Sequence, residues 1–119
     1  MNLSPGQLDI LFQAFGDPTR RAILERLARG PATVSELASP FEMALPSLMA
    51  HVSRLEEAGL VTSAKTGRVR TVTLVPGAFT PVRSWLDEQR AIWEGRLDRL
   101  DDYVTKLMKE RTHGSGSEN

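Results

Sequence analysis

The feature that most constrains this chain is an ordered run of parts between residues 33 and 75: a capped helix, a tight turn, a second helix and a short basic hairpin. Thr33-Val34-Ser35-Glu36 is a capping box, in which the threonine hydroxyl reaches forward to one orphan backbone N–H and the glutamate reaches back to another. A short helix is predicted from Val34 to about Ala38, with Ser39-Pro40 ending it and Leu37 and Phe41 facing a core. The next helix is entered near Pro46 and runs to Ala58, where Gly59 supplies the C-terminal cap. Leu48, Val52 and Leu55 recur at spacings of four and three, so they share one inward stripe. The opposite face carries Pro46, Ala50, Ser53 and Glu57, flanked by Ser47, Met49 and Arg54, with Leu45 reaching outward at the start. Gly59 to Ala64 continues as a strand, Lys65-Thr66-Gly67-Arg68 turns, and Val69 to Val75 returns with β-branched residues.

A helix pair followed by a two-stranded hairpin is the layout of a winged helix-turn-helix. The chain's 119 residues suit one domain with a modest core, 40% of them being hydrophobic. No apolar run approaches the roughly 20 residues of a transmembrane helix. The N-terminus MNLSPGQLDILFQAF lacks the basic start and long apolar stretch of a secretion signal, so a cytoplasmic protein is expected, with no membrane partner. The absence of cysteine removes disulfides, thiolate nucleophiles and cysteine-based metal sites together, leaving His51 and His113 as the soft ligands. With 15 basic and 15 acidic residues the net charge is zero, so any nucleic-acid contact must come from a local patch. Between Ser63 and Pro76 such a patch exists, because Lys65, Arg68 and Arg70 stand there without an acid.

The flanks read as helices. Leu8, Ile10, Leu11, Phe12 and Phe15 make a short helix too apolar for a lone surface element. Asp17-Pro18 opens another, since the carboxylate accepts orphan N–H groups and proline suits the first helical position; Ile23, Leu24 and Leu27 form its buried stripe and Gly30-Pro31 stops it. Thr80-Pro81 opens a helix to about Lys109, in which Leu86, Trp93, Leu100 and Leu107 recur every seven residues beside Val82, Leu97 and Val104. Acids and bases alternate on its other faces, as in Asp87-Glu88, Arg90, Glu94 and Arg96. A 30-residue helix spans about 45 Å, longer than so small a domain covers alone. The expected fold is therefore mainly α with a small β-hairpin: a winged helix-turn-helix over 1–110, with dimerisation helices at 8–15 and 80–109 and a disordered tail at 111–119. The homodimer interface would use Leu8, Leu11, Phe12, Phe15, Leu86, Trp93, Leu97, Leu100, Val104 and Leu107. Trp85 and Trp93 offer an alternative use as the lining of a pocket for an unknown small-molecule effector.

The chemistry implied is recognition. A helix fits the major groove of double-stranded DNA, where short side chains near its N-terminus let the backbone approach base edges. Ser47 and Ser53 carry hydroxyls, Arg54 suits guanine or phosphate, and Leu45, Pro46, Met49 and Ala50 offer apolar contact, for instance to thymine methyls. His51 is expected to bond backbone or phosphate. Lys65, Arg68 and Arg70 would lie over the adjacent backbone or minor groove. No Ser/His/Asp set, phosphate loop or ligand-spaced carboxylate cluster is present; Asp98, Asp101 and Asp102 lie on a charged helix face. Neither an enzyme nor a bound metal or cofactor is expected.

These residues resemble the ArsR family of bacterial winged-helix repressors. The resemblance rests on Ala14-Phe15-Gly16-Asp17-Pro18-Thr19-Arg20-Arg21-Ala22-Ile23-Leu24, on Glu36-Leu37-Ala38, on His51 within Leu48-Met-Ala-His-Val, on Leu55-Glu-Glu-Ala-Gly-Leu-Val61 and on Gly67-Arg68. It covers about residues 8–109 and implies a dimeric regulator binding an imperfect inverted repeat. Two departures matter. Ala44 stands where the family commonly caps its recognition helix with serine, and Met49-Ala50-His51 replaces a Ser-Lys-His run. The cysteine pair of arsenic sensors is missing, and residues 80–110 lack the histidines of zinc sensors. The rival reading is a winged helix used only for protein contacts, which Ala50 and Ser53 favour and which predicts little dependence on salt.

Overall fold

Local capping chemistry sets most of the element boundaries. The computed structural model describes the backbone of residues 5–117 and the side chains of residues 5–111. The chain divides into two units, Met1–Val82 and Arg83–Asn119. Along it run α1 (Pro5–Phe15), α2 (Pro18–Leu27), β1 (Ala32–Thr33), α3 (Val34–Ala38), α4 (Leu45–Glu57), β2 (Val61–Thr66), β3 (Val69–Leu74) and α5 (Thr80–Ser117).

At the start of α2 the Asp17 carboxylate accepts from Arg20 N–H at 2.9 Å, with Pro18 inside the helix. That backbone hydrogen bond holds the Asp17 carboxyl below its usual value, outweighing desolvation, with His51 and Arg20 adding to the lowering. The expected capping box is present at α3: Glu36 N–H donates to Thr33 Oγ1 at 3.1 Å, and Thr33 N–H to Glu36 Oε1 at 3.3 Å. A single 3₁₀ turn, Ser39–Phe41, follows α3, so the helical path outlasts the expected stop at Ser39-Pro40. Proline is tolerated there because the first turn of a helix needs no donor from it. Glu42 then takes a left-handed φ of 51°, which bends the chain toward α4.

The sheet has three antiparallel strands in the order β1-β3-β2. β1 was absent from the sequence reading: its two residues pair Ala32 with Val72 and Thr33 with Thr71, and two residues carry no periodicity to read. The wing also differs in its boundaries. Lys65 and Thr66 belong to β2, opposite Arg70 and Val69, and the turn is only Gly67-Arg68. Gly67 has φ 63°, so a side chain there would be strained, and a two-residue turn with glycine first matches the right-handed twist of the strands.

Ile23, Leu48, Val52, Leu55, Leu60 and Val72 are fully buried and tie α2, α4 and the sheet together. Leu11 and Ala14 of α1 join this core, and Phe15 packs against it with its ring 6.1 Å from that of Phe79. Two residues expected at a dimer interface, Leu11 and Phe15, are thus engaged within their own unit; Leu11 keeps 5% of its surface. The cause is helical phase, because Leu11, Ala14 and Phe15 lie on the α1 face turned to the core, whereas Ile10 and Phe12 stay exposed.

In the second unit α5 continues as one helix, and α5 as a whole has 38 residues, a length of about 57 Å. Its backbone is helical through Ser117, past the expected end at Lys109 and into the segment expected to be a disordered tail; residues 118–119 and the side chains of 112–119 lie outside the described residues. Propagating a helix through Gly114 and Gly116 costs about 1 kcal/mol each relative to alanine, and no proline intervenes to stop it. Arg83, Asp87, Arg90 and Glu94 form exposed i,i+3 and i,i+4 ion pairs at 3.6–3.9 Å, each of a few tenths of a kcal/mol. Leu86, Trp93, Leu97, Leu100, Val104 and Leu107 remain between 40% and 57% exposed. No helix among the described residues is long and apolar enough to cross a membrane.

Alanine at position 17 is expected to lower stability by about 1 kcal/mol at pH 7 through loss of the cap. Because the folded-state pKa is depressed, the contribution of Asp17 is complete above the ordinary value of 3.8 and is lost as pH falls through the lower folded-state value. Thermal melts of Asp17→Ala and the parent at pH 7 and about pH 2.5 should show a gap that narrows on acidification. A gap of the same size at both pH values would contradict the assignment.

Candidate nucleic-acid interface

The outward face of α4 follows from which of its residues are consumed by the core. Leu48, Val52 and Leu55 point inward, leaving Leu45, Pro46, Ser47, Ala50, Ser53 and Arg54 exposed. Met49 is half-buried and packs on the core edge. Ala44 caps α4 with no side-chain hydrogen bond. The first turn adapts without it: Pro46 has no N–H to satisfy, and Ser47 and Leu48 N–H both donate to Ala44 O at 3.1 Å.

His51 sits elsewhere than its neighbours. One position from Val52 and three from Leu48, it borders the buried stripe, and its Nδ1 accepts from Arg20 Nη1 at 3.3 Å. Asp17 Oδ2 lies 3.7 Å from the same nitrogen, beyond hydrogen-bond reach. The Arg20 guanidinium also donates to Gln13 O at 2.9 Å and Ala14 O at 3.1 Å. One side chain therefore ties the last carbonyls of α1 to α2 and to the middle of α4. The sequence reading missed this role of Arg20. Its placement three residues after a capping aspartate shows that it is on the first turn of α2, but nothing local shows that it reaches 31 residues ahead to His51.

In the wing, Val61, Ser63 and Lys65 alternate onto one face of β2, and Arg70 and Val72 share that face of β3. Val61 and Val72 are buried, so Ser63, Lys65 and Arg70 lie where the same face emerges beyond the core. Arg70 is half-buried and donates to Ser63 Oγ at 3.0 Å, and Ser63 Oγ donates to Glu56 Oε1 of α4 at 2.6 Å, a chain that anchors the wing to the helix. Lys65 and Arg68 are exposed and have no hydrogen-bond or ion-pair partner among the described residues. An open cleft of about 430 Å³ is lined by Leu45 and Met49 of α4, by Lys65, Arg68, Val69 and Arg70 of the wing, and by the start of α3. Leu45 and Met49 of the helix thus meet Lys65, Arg68 and Arg70 of the wing along one groove, whereas Pro46, Ser47, Ala50 and Ser53 lie outside its lining, Arg54 lines a separate cleft with Asp17 and Arg20, and His51 is set apart.

Comparison with known proteins agrees with this architecture. A helix-turn-helix domain family matches residues 15–64. The HTH-type transcriptional regulator Rv2034 of Mycobacterium tuberculosis is 40% identical over 79 residues, which cover 66% of this chain and 74% of that protein. The crystal structure of an ArsR family transcriptional regulator is 56% identical and superposes with a TM-score of 0.74, over 79% of this chain and 97% of its own. The chain belongs to the ArsR family. It is a transcriptional regulator built on the winged helix-turn-helix DNA-binding fold. A further structure, the homodimeric winged helix-turn-helix DNA-binding domain Mb0332 from Mycobacterium bovis, is 25% identical with a TM-score of 0.58, over 71% of this chain and 82% of its own.

Within this ArsR-family protein the Asp17-Pro18-Thr19-Arg20 segment has a structural use: the aspartate caps α2 and the arginine braces α1 and α4. The departure at Met49-Ala50-His51 leaves the middle of the exposed α4 face without a cation until Arg54.

Proposed function

We propose that two copies of this regulator act as a cytoplasmic repressor on an inverted-repeat operator in double-stranded DNA, with α4 in the major groove and the wing on the adjacent backbone. The observation that carries this is the shared groove, in which Leu45 and Met49 of α4 meet Lys65, Arg68 and Arg70. Ser47, Ala50, Ser53 and Arg54 lie on the exposed face of the same helix, at positions suited to base edges. Lys65 and Arg68 supply unpaired charge for phosphates, while Arg70 is held by Ser63 and contributes from a fixed position. His51 acts indirectly, through its contact with Arg20.

The homodimer is supported by the exposed apolar stripe of α5, which lies along a helix of about 57 Å, and by the homodimeric M. bovis relative. Leu8 and Phe12 of α1 are additional candidates for that contact. A two-fold dimer presents its recognition helices about 34 Å apart, one turn of B-DNA. Bound at a promoter, it would repress by excluding polymerase.

Selection from a random-duplex library tests the reading. Enrichment of an inverted repeat with half-site centres about 10 base pairs apart is expected. Enrichment of nothing at low salt would overturn it in favour of a winged helix turned to a protein partner. Arg54→Ala and Ser47→Ala should change preference among the enriched duplexes by about 1–3 kcal/mol per contacted base pair while leaving the melting temperature unchanged.

A further inference from the structure

We infer that this regulator reads thymine through its C5-methyl group, using an apolar pad of Leu45 and Met49 on the first two turns of α4; the inference rests on the DNA-binding reading above. The hydrogen bonds that pick out one base in the major groove come from arginine or lysine for guanine, asparagine or glutamine for adenine, and aspartate or glutamate for cytosine. Between Ala44 and Val52 there is none of these. His51, the one polar ring in that stretch, is turned inward to Arg20. Ser47 alone offers a hydroxyl there, and a hydroxyl bonds any base edge or a phosphate without choosing between them.

What this stretch does present is hydrocarbon. Leu45 is 47% exposed, a large apolar side chain at the leading end of the helix. Leu45 and Met49 are four residues apart, so they stack on one face and line the cleft toward the wing. The flexible thioether of Met49 lets that surface adjust to a small convex group. The thymine methyl is the apolar group that an unmodified base pair displays in the major groove. The rim of the cleft matches the rest of such a partner, since Lys65, Arg68 and Arg70 place positive charge where the phosphates bordering the thymine would pass.

The test uses the full chain and a duplex taken from the selection, prepared with thymine or with deoxyuridine at each half-site position. Uracil removes the methyl and keeps the pairing edge and the O4 acceptor. Loss of about fourfold in affinity is expected for each contacted methyl, and about sixteen-fold for one methyl in each half-site. Leu45→Ala should bind both duplexes alike; because the side chain is exposed, its melting temperature should match that of the parent, which separates lost readout from lost folding. Equal binding of thymine and deoxyuridine duplexes by the parent protein would overturn the methyl reading alone. Undiminished discrimination in Leu45→Ala would overturn the assignment of the pad. Failure to bind either duplex at low salt would overturn the DNA-binding reading itself.

Discussion

A protein carrying Trp93→Ala and Leu100→Ala together is expected to have a dimer dissociation constant raised about a thousand-fold or more, and to lose tight operator binding with it. Both side chains lie on the heptad stripe of α5, seven residues apart, and both are more than half exposed. A helix gains nothing by holding six large apolar residues in water along one line, and a partner of matching period would cover the proposed interface. A second copy supplies that period by symmetry. Interface residues of this kind each contribute about 1 kcal/mol or more when buried, and each is deleted twice in a two-fold dimer, so the four deletions together cost about 4 kcal/mol or more. Sedimentation equilibrium measures the effect, and the circular dichroism melt of the first unit should be little changed because neither residue belongs to its core. A double variant that stays dimeric at low micromolar concentration would contradict the interface.

Lys65→Ala with Arg68→Ala is expected to weaken binding to every duplex by about a hundred-fold or more at about 0.1 M salt, and to flatten the dependence of log affinity on log salt by about 3 to 4 units. The arithmetic follows from four phosphate contacts, two in each subunit, each releasing about 0.9 of a counterion. Sequence preference should survive, because phosphate contacts position a protein without reading bases. Arg70 stays intact in this variant because it is bonded to Ser63 and through it to Glu56, so its removal would also loosen the wing from α4. An unchanged salt slope would remove the wing from the interface.

What the sequence made legible was mostly local chemistry. Asp17-Pro18, the Thr33/Glu36 capping box and Gly59 mark helix ends because the groups that satisfy a terminus stand within four residues of it. The inward stripe of α4 was readable for the same reason, since Leu48, Val52 and Leu55 carry their period with them. Features that depend on distant partners were not readable. β1 exists because Ala32 and Thr33 find β3 some forty residues later, and two residues have no alternation of their own. Arg20 gives no local sign of its bonds to Gln13, Ala14 and His51. The apolar character of α1 was plain, yet which of Leu11, Phe12 and Phe15 faces its own core depends on how α1 docks. Likewise the groove between α4 and the wing could be anticipated in its parts, but the meeting of Leu45 and Met49 with Lys65 and Arg68 is a property of the folded unit.

This regulator is proposed to engage DNA as a pair, through α4 and the wing. A titration of an enriched duplex at 50 and 200 mM salt, with the mass of the complex measured by light scattering on the same samples, tests it most directly. Two chains per duplex are expected, with an affinity that falls about a hundred-fold or more between the two salt concentrations, as four or more phosphate contacts require. One chain per duplex, or an affinity indifferent to salt, would contradict it.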